Sequence, residues 1–90
     1  MAVLMIGDVP DLPEEAYAGM MVGLKPSLLA TEGFISHSAG PGPTGAWRVV
    51  EVWDSQEQAD EWFEANVTPN LPPGVVPDRT YFPLHTSFTK

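Results

Sequence analysis

The sequence predicts an α+β fold in which strands and helices follow one another in the order βαββαβ. Three patterns in the 90-residue chain carry this prediction. Residues 47–53 (WRVVEVW) place two tryptophans and a glutamate at every-second spacing, which is typical of a strand with two different faces. The Gly/Pro-rich tract 40–45 before them is typical of a hairpin loop, and residues 59–67 after them have apolar side chains at helical spacing.

The first strand and the first helix are predicted from the N-terminal third of the chain. The short apolar run Ala2–Gly7 favours a buried strand, because Pro10 follows too early for a helix. Asp11–Glu14 resembles a capping box at the start of a helix. Pro26 is expected to break or kink that helix, with Leu28–Ala30 as a last turn. Its apolar positions recur at helical spacing: Tyr17, Met20, Met21 and Leu24.

The remaining elements are a second strand at about Gly33–Ser38, the hairpin, the third strand, a second helix and a last strand. The hairpin loop is not a phosphate loop, because its prolines have no amide hydrogen to aim at an anion. Ser55–Gln58 is a capping box that begins the second helix, and a proline-rich passage connects this helix to a final strand at Thr80–Phe88. The helix has an apolar face of Ala59, Trp62, Phe63 and Val67, and a water-facing side of Asp60, Glu61 and Glu64.

This order of elements is the ferredoxin-like pattern, a four-stranded antiparallel sheet with both helices on one face. We expect a single domain over residues 1–90. A chain of this size has a small core and this one has no cysteine for a disulfide, so we expect a homodimer. The sheet face without helices would then meet a second copy, since Trp47 and Trp53 make exposure of that face to water improbable.

The charge balance limits the partners. Twelve acidic and four basic residues give a net charge of −8, which opposes binding to phosphates, so neither nucleic acid nor an anionic membrane is expected as a partner. No apolar run approaches the roughly 20 residues that a membrane span needs, and the N-terminus lacks the pattern of a secretory signal. We expect a cytoplasmic protein.

A family resemblance covers nearly the whole chain. The segments EGFISH (residues 32–37) and GAWRVVEVWDS (residues 45–55), with the helix that follows, resemble small members of the dimeric α+β barrel superfamily, close to the antibiotic-biosynthesis monooxygenase-like proteins. The resemblance implies two sheets that face each other across a twofold axis, and a cavity in each subunit. Some members oxygenate aromatic polyketides or quinol-like substrates without metal or flavin, and others cleave haem, rearrange lactones or cyclise natural products. A haem-facing histidine would have to be His37 or His85.

His37 and Glu51 are the predicted catalytic residues. Histidine changes charge near neutral pH and can move a proton in either direction, and the hairpin could bring His37 beside Glu51, which would orient it. A carboxylate on an apolar strand face must be paired, protonated or reached by water, which favours a role as a general base. The alternatives are that His37 is a rim histidine bonded to backbone or water, and that Glu51 pairs with Arg48 or Lys25.

Four residues are predicted to bind substrate. Trp47 and Trp53 offer flat surfaces for an aromatic ligand, although they could equally form the core of a dimer interface. Tyr81 and His85 share one face of the last strand and could bind a substrate carbonyl or donate a proton to it; hydrogen bonding across a subunit boundary is the alternative. No metal site is expected, because the two histidines lie far apart and no ligand motif is present.

These observations predict a small cofactor-independent monooxygenase-like enzyme that acts on a hydrophobic aromatic or polyketide-like molecule by proton abstraction and reaction with oxygen. A cyclase or isomerase of natural-product biosynthesis is the first alternative. A non-catalytic dimer that binds a hydrophobic small molecule is the second. Strand register matters most, because a one-residue bulge near the Gly/Pro loop would turn His37 away from Trp47.

Overall fold

A computed structural model describes all 90 residues. Four strands form one antiparallel sheet in the order β2-β3-β1-β4, and the chain follows the predicted order βαββαβ. The second helix continues into a π-helical turn and a 3₁₀ turn. The bounds are β1 Val3–Val9, α1 Glu14–Leu29, β2 Phe34–Pro41, β3 Trp47–Trp53, α2 Gln56–Trp62, the two turns Phe63–Val67 and Thr68–Asn70, and β4 Asp78–Pro83.

Strand register decides which side chains face the helices. Met5 in the central strand β1 lies opposite Glu51 on one side and Tyr81 on the other, so these three residues share the inner, helix-covered face. The core joins this face to the two helices through the side chains of Leu28, Trp53, Ala59 and Trp62. The tryptophans of β3 therefore lie on the covered face, and the expectation that they shield the uncovered face from water is wrong. Trp53 has no exposed surface at all.

The outer face of the sheet has no helix against it. Its charged residues are Asp8, Arg48 and Asp78. Asp8 forms an ion pair with Arg48, which lies opposite it on β3, and Asp78 lies opposite Asp8 on β4. The rest of this face is mostly apolar, and Phe82 remains 45% exposed. Its apolar side chains come from three neighbouring strands and are Leu4, Ile6, Val50, Val52 and Phe82.

A β-bulge near the start of β2 sets the direction of His37. Phe34 pairs with Trp53 and Ser36 pairs with Val52, so Ile35 is the extra residue. Without this insertion Phe34 and His37, three positions apart, would point to opposite faces. With it, both point to the inner face. The sequence analysis considered a bulge near the Gly/Pro loop, which would have turned His37 away from Trp47. The bulge lies instead at the other end of the strand, and it turns His37 toward Glu51.

Helix α1 ends within the predicted last turn Leu28–Ala30, and two other element boundaries differ from the prediction. Helix α1 runs through Pro26 to Leu29. Pro26 has no N–H to bond the carbonyl of Val22 one turn earlier, but both residues lie on the exposed side of the helix, where water can bond that carbonyl. Asp11 does not cap α1; it has a left-handed backbone, and Pro13 precedes the first turn. Strand β4 ends at Pro83 because β1, its only neighbour, begins at Val3.

The start of α2 and the hairpin follow the prediction closely. Ser55 caps α2, with its Oγ accepting a hydrogen bond from the Gln58 backbone N–H at 3.2 Å. The hairpin between β2 and β3 turns at residues 42–46, where Gly45 has a left-handed backbone. No helix in the structure combines the length and apolarity that crossing a bilayer requires.

Candidate active site

A cavity of about 80 Å³ lies between the inner face of the sheet and the two helices. Most of its wall is apolar, with methionines of α1 and β1 facing the aromatic side chains of α2. The side chains that bring polar or ionisable groups to this wall are Tyr17, His37, Glu51 and Arg79. Such a wall, mostly apolar with a few converging polar groups, is typical of a site for a small organic molecule.

Four side chains form a continuous chain of hydrogen bonds along one wall of the cavity. The Tyr17 hydroxyl lies 2.5 Å from Nε2 of His37, and Nδ1 of His37 lies 2.6 Å from Oε2 of Glu51. The other carboxylate oxygen of Glu51 accepts a hydrogen bond from Nε1 of Trp53 at 2.9 Å. Helix α1 supplies the phenol, β2 the imidazole, and β3 both the carboxylate and the indole.

The chemistry of these groups sets the direction of the hydrogen bonds. A carboxylate only accepts, so Nδ1 of His37 donates to Glu51. In the neutral imidazole Nε2 is then an acceptor, and the Tyr17 hydroxyl donates to it. Glu51 is thereby satisfied by two donors although only 5% of it is exposed. The result is a phenol, an imidazole and a carboxylate in series, with the tautomer of the imidazole fixed by the carboxylate.

Tyr17 remains a phenol at neutral pH. Burial first, and the negative charge of Glu51 second, raise the pKa of the Tyr17 hydroxyl above its ordinary value. Its ring also packs on Trp47, with 5.0 Å between the ring centroids. Trp47 therefore holds the phenol in position from the side away from the cavity, and the hydroxyl stays a hydrogen-bond donor.

No protein-family model matches this chain, and no curated protein matches it in sequence. Solved structures do match. The cofactor-independent oxygenase SnoaB of Streptomyces nogalater aligns over 99% of this chain and 96% of its own, with a TM-score of 0.65 and 11% identity. A Deinococcus radiodurans protein, provisionally described as an antibiotic biosynthesis monooxygenase, aligns over 98% of this chain and 97% of its own, with a TM-score of 0.69 and 12% identity.

The chain has the fold of the antibiotic biosynthesis monooxygenase-like proteins. A haem-degrading protein of Mycobacterium tuberculosis shares this monooxygenase-like fold, with 18% identity, a TM-score of 0.61, and coverage of 99% of this chain and 100% of its own. At these identities the similarity establishes the fold alone. Since proteins of the same fold oxygenate or degrade haem, the chemistry of this chain has to be argued from its own side chains.

The haem reading finds little support in the side chains. An axial histidine needs a ring nitrogen that is free for iron; both nitrogens of His37 are hydrogen-bonded in this structure, so iron would first have to displace the Tyr17 hydroxyl from Nε2. His85 is exposed beyond the end of β4 and bonds to its neighbour Thr86. No three His, Asp or Glu side chains converge in a way that could hold a metal ion.

A second polar cluster on the opposite wall contains Arg79, Asp60 and Tyr81. Nη1 of Arg79 donates to Asp60 at 3.1 Å, Nη2 of Arg79 donates to the Tyr81 hydroxyl at 2.6 Å, and that hydroxyl donates to Asp60 at 2.7 Å. The guanidinium also lies 3.8 Å from the centroid of the Phe63 ring. Burial and the hydrogen bond to Asp60 raise the pKa of Tyr81. Asp60 lies at the solvent edge of this cluster with 45% of its side chain exposed, so it keeps the water-facing position predicted for it while it bonds to Arg79.

One donor of this cluster has no partner within the protein. Nε of Arg79 is buried and makes no hydrogen bond, although the side chain lines the cavity. A buried donor without a partner costs free energy that an oxygen atom of a ligand would recover. Gly7 lies directly opposite Arg79 in the register, and a Cβ there would come within 3.2 Å of Sδ of Met5. The absence of a side chain at Gly7 therefore keeps this part of the cavity open.

Five of the six predicted site residues form two groups. His37 and Glu51 line the cavity and contact each other, so the hairpin brings them together as predicted. Trp47, Trp53 and Tyr81 share the inner face but lie behind the wall: Trp53 orients Glu51, Trp47 supports the phenol, and Tyr81 fixes the guanidinium.

Two of the predicted binding roles need correction. Trp53 has no exposed surface on which a ligand could stack. His85 does not share the cavity side with the tryptophans, because the strand that was expected to carry it ends at Pro83.

Two polar residues of the cavity wall were missed by the sequence reasoning. Tyr17 was counted only as an apolar position of the first helix, although a tyrosine on an apolar helix face has a hydroxyl that needs a partner when it is buried. Arg79 was not considered. Its signal was present too, since it is one of only four basic residues and lies on a strand beside a tyrosine.

The contacts also contradict the alternative considered for Glu51. Glu51 pairs with neither Arg48 nor Lys25; its partners are His37 and Trp53. Arg48 points to the outer face and binds Asp8 with two hydrogen bonds of 2.7 and 2.9 Å.

Proposed function

We propose that this protein is a small cofactor-independent monooxygenase-like enzyme, which removes a proton from an aromatic or polyketide-like molecule and lets the resulting anion react with oxygen. The observation that supports this most directly is the Tyr17–His37–Glu51 hydrogen-bond chain in the wall of an apolar cavity. A histidine whose tautomer is fixed by a carboxylate is an effective general base when its second nitrogen faces the substrate.

The first step is the removal of a proton by His37. An acidic C–H or phenol O–H of the substrate gives its proton to Nε2, and the imidazolium that forms is stabilised by Glu51 at 2.6 Å. Tyr17 releases Nε2 in the same movement and turns its hydroxyl to the new enolate or phenolate oxygen. Its raised pKa suits this role, because the phenol stays protonated and can donate.

The second step is the reaction with oxygen. The carbanion carbon bonds to one atom of O₂ and the peroxide takes up a proton. Loss of the remaining C–H proton and cleavage of the O–O bond then give a carbonyl and hydroxide, which leaves as water. A CH₂ group and O₂ thus become C=O and H₂O, with O₂ as the oxidant and no other redox group required. The apolar wall excludes water from the carbanion.

Arg79 is placed to hold a substrate oxygen at the far wall. Its unpartnered Nε–H is the donor, and its position is fixed by Asp60 and Phe63. A cation against the cavity stabilises negative charge that spreads over a conjugated ring system. The cavity between these walls holds about 80 Å³, so it would enclose the reacting end of a flat molecule between His37 and Arg79, and not the whole molecule.

We also propose that the protein forms a homodimer. The outer sheet face exposes apolar side chains around a single ion pair, and a monomer of 90 residues has little core to offset their exposure. A second copy that packs its own outer face against this one would cover them, which is an isologous interface. The cytoplasmic location expected from the sequence stays a prediction.

The test is oxygen uptake by the purified, metal-stripped protein with a panel of hydroxyanthrones and dihydroquinones. The rate without protein is subtracted, because such compounds oxidise slowly in air. His37→Ala should lower kcat by about 10²- to 10⁴-fold. His85→Ala is the matched control, since His85 lies outside the cavity, and it should leave the rate unchanged.

Other outcomes would redirect the proposal. Uptake that persists in His37→Ala would remove His37 as the base. Consumption of a substrate without oxygen uptake would favour a cyclase or isomerase, which shares the proton-abstraction step. No consumption of any substrate by the native protein would favour a non-catalytic binding protein.

A further inference from the structure

A second depression lies on the outside of the same wall. It runs between helix α1 and the edge strand β2, has a volume of about 520 Å³ and is mainly apolar. We call it the α1–β2 groove; the residues that matter here are Tyr17, Met21, Lys25, Leu29, Ile35 and His37. Leu29 and Ile35 are 66% and 53% exposed, a large apolar surface for two neighbouring side chains.

Tyr17 and His37 line both the inner cavity and this groove. Their hydrogen bond is therefore the partition between the two spaces. The inner cavity, at about 80 Å³, lies well below the roughly 300–1,000 Å³ typical of ligand pockets, whereas the groove, at about 520 Å³, falls within that range. A molecule with two or more fused rings fits the groove, and its edge then meets the proton-transfer pair from outside.

The groove contains the one cation of the folded body that is not already paired. Arg48 and Arg79 are held by Asp8 and Asp60, and Lys90 is the last residue of the chain. Lys25 takes part in none of the three ion pairs and lies in the groove wall. The net charge of −8 opposes the binding of anions to this protein in general. The unpaired ammonium of Lys25, beside apolar side chains, favours an anionic ligand in this groove.

The β-bulge serves the groove as well as the cavity. Ile35 is the inserted residue, so the strand turns its side chain out at the edge while His37, two positions later, points inward. One local irregularity thus supplies both an apolar wall for a ring and the base at the end of that wall.

We propose that the α1–β2 groove is the binding site for a planar aromatic anion. The carboxylate or phenolate of the ligand pairs with Lys25, its rings lie against Leu29 and Ile35, and its far edge reaches Tyr17 and His37. Binding in the groove does not depend on the proposed function; only the reaction of the bound molecule rests on it. The inference specifies the substrate class as fused-ring aromatic acids or phenolates.

The experiment is a titration of the ¹⁵N-labelled protein by NMR with 2-naphthoate, and with 2-naphthamide as the neutral compound of the same shape. We expect 2-naphthoate to shift amide signals of residues 21–29 and 34–37 and to bind at least about fivefold more tightly than 2-naphthamide. Lys25→Glu should weaken 2-naphthoate binding about tenfold or more and leave 2-naphthamide binding within about twofold. Lys90→Glu makes the same charge change outside the groove and should leave both unchanged.

Four results would overturn the proposal. They are equal binding of the two compounds, equal effects of Lys25→Glu and Lys90→Glu, shifts confined to the inner cavity, and the absence of binding at millimolar ligand. Groove shifts that appear on raising the protein concentration alone would show a second copy in the groove, and would overturn it too.

The test is independent of turnover. Glu51 does not line the groove, so Glu51→Gln should bind 2-naphthoate within about twofold of the native protein even where it has lost oxygen uptake. If the native protein binds 2-naphthoate in the groove but takes up no oxygen with any substrate of the panel, the proposed function is contradicted and the groove proposal is supported. Oxygen uptake without binding in the groove would support the proposed function and contradict the groove proposal.

Discussion

Each face of the central strand β3 contributes one member of a hydrogen-bonded pair of ionisable side chains, and the two pairs differ in burial and in their surroundings. On the inner face Glu51 bonds to His37, and their side chains are 6% and 17% exposed. On the outer face Arg48 bonds to Asp8, and their side chains are 37% and 31% exposed. The distances are nearly equal, at 2.6 and 2.7 Å, so distance alone does not separate them.

Burial and connectivity separate the two pairs. Water screens the outer pair, which contributes little and loses little when one partner is removed. The inner pair continues into Tyr17 and Trp53, and any break leaves a buried donor or acceptor without a partner. Only the inner pair therefore fixes a tautomer and can hold a charge that forms during a reaction. The same strand thus contributes to the proposed reaction site on one side and to the proposed dimer interface on the other.

The largest difference between the faces should appear in stability. Trp53→Ala removes a fully buried indole and the N–H that bonds to Glu51, so we expect a loss of about 3–5 kcal/mol in the free energy of unfolding. Val52→Ala, one residue away on the outer face, should cost about 1 kcal/mol or less at protein concentrations that favour the monomer. Urea denaturation measures both. Equal losses would contradict the assignment of the core to the inner face.

The next difference should appear in activity. Glu51→Gln keeps the size of the side chain but no longer stabilises an imidazolium, so oxygen uptake should fall about 10²-fold. Asp8→Asn makes the same change in the outer pair and should leave uptake unchanged. A steady-state comparison of kcat for the two variants decides the matter. A fall in both would mean that charge in general, and not the inner pair, supports the reaction.

The outer face can be tested for docking through the oligomeric state. Val50→Lys places a charge in the apolar part of this face, and we expect the dimer to dissociate with a Kd at least about tenfold weaker. Val22→Lys is the control, because Val22 is 80% exposed on α1, away from the sheet. Sedimentation equilibrium measures both. A native protein that sediments as a monomer would remove the dimer from the proposal.

The smallest predicted difference is in how stability depends on pH. The inner face loses stability as the pH rises, and the outer face loses stability as the pH falls. The folded protein raises the pKa of Tyr17 and Tyr81 above 10.0, so their contribution to stability is complete below pH 10 and is lost as the pH rises through the higher folded values. The Arg48 guanidinium lowers the pKa of Asp8 below 3.8, so its contribution is complete above that pH and is lost as the pH falls.

Absorbance at 295 nm follows the tyrosines, the only two in the chain. We expect little phenolate below pH 10 and a rise that accompanies unfolding, with Tyr81→Phe removing the later part. On the acid side, Asp8→Asn should produce a small flattening of stability below pH 4. Phenolate that forms at an ordinary pKa in the folded protein would show that the inner face is open to water.

Much of the fold could be predicted because its signals are local. The alternation in residues 47–53, the Ser55 cap and the helical spacing of the second helix each depend on a few neighbouring residues. The failures came from partners distant in sequence. The role of Tyr17 was missed because its partner His37 lies 20 positions away, and β4 stops where its neighbour β1 begins.

The sequence by itself determined the order of the elements, the two faces of β3, and the pairing of a histidine strand with a glutamate strand. The alternation of side chains along a strand shows which residues share a face, because it follows from backbone geometry alone. It does not state which face the helices cover. The tertiary structure decided that Trp53 is core, that the bulge at Ile35 turns His37 toward Glu51, and that Tyr17 completes the chain from another element. These outcomes depend on contacts across 14 to 20 positions of sequence, whose register no local pattern encodes.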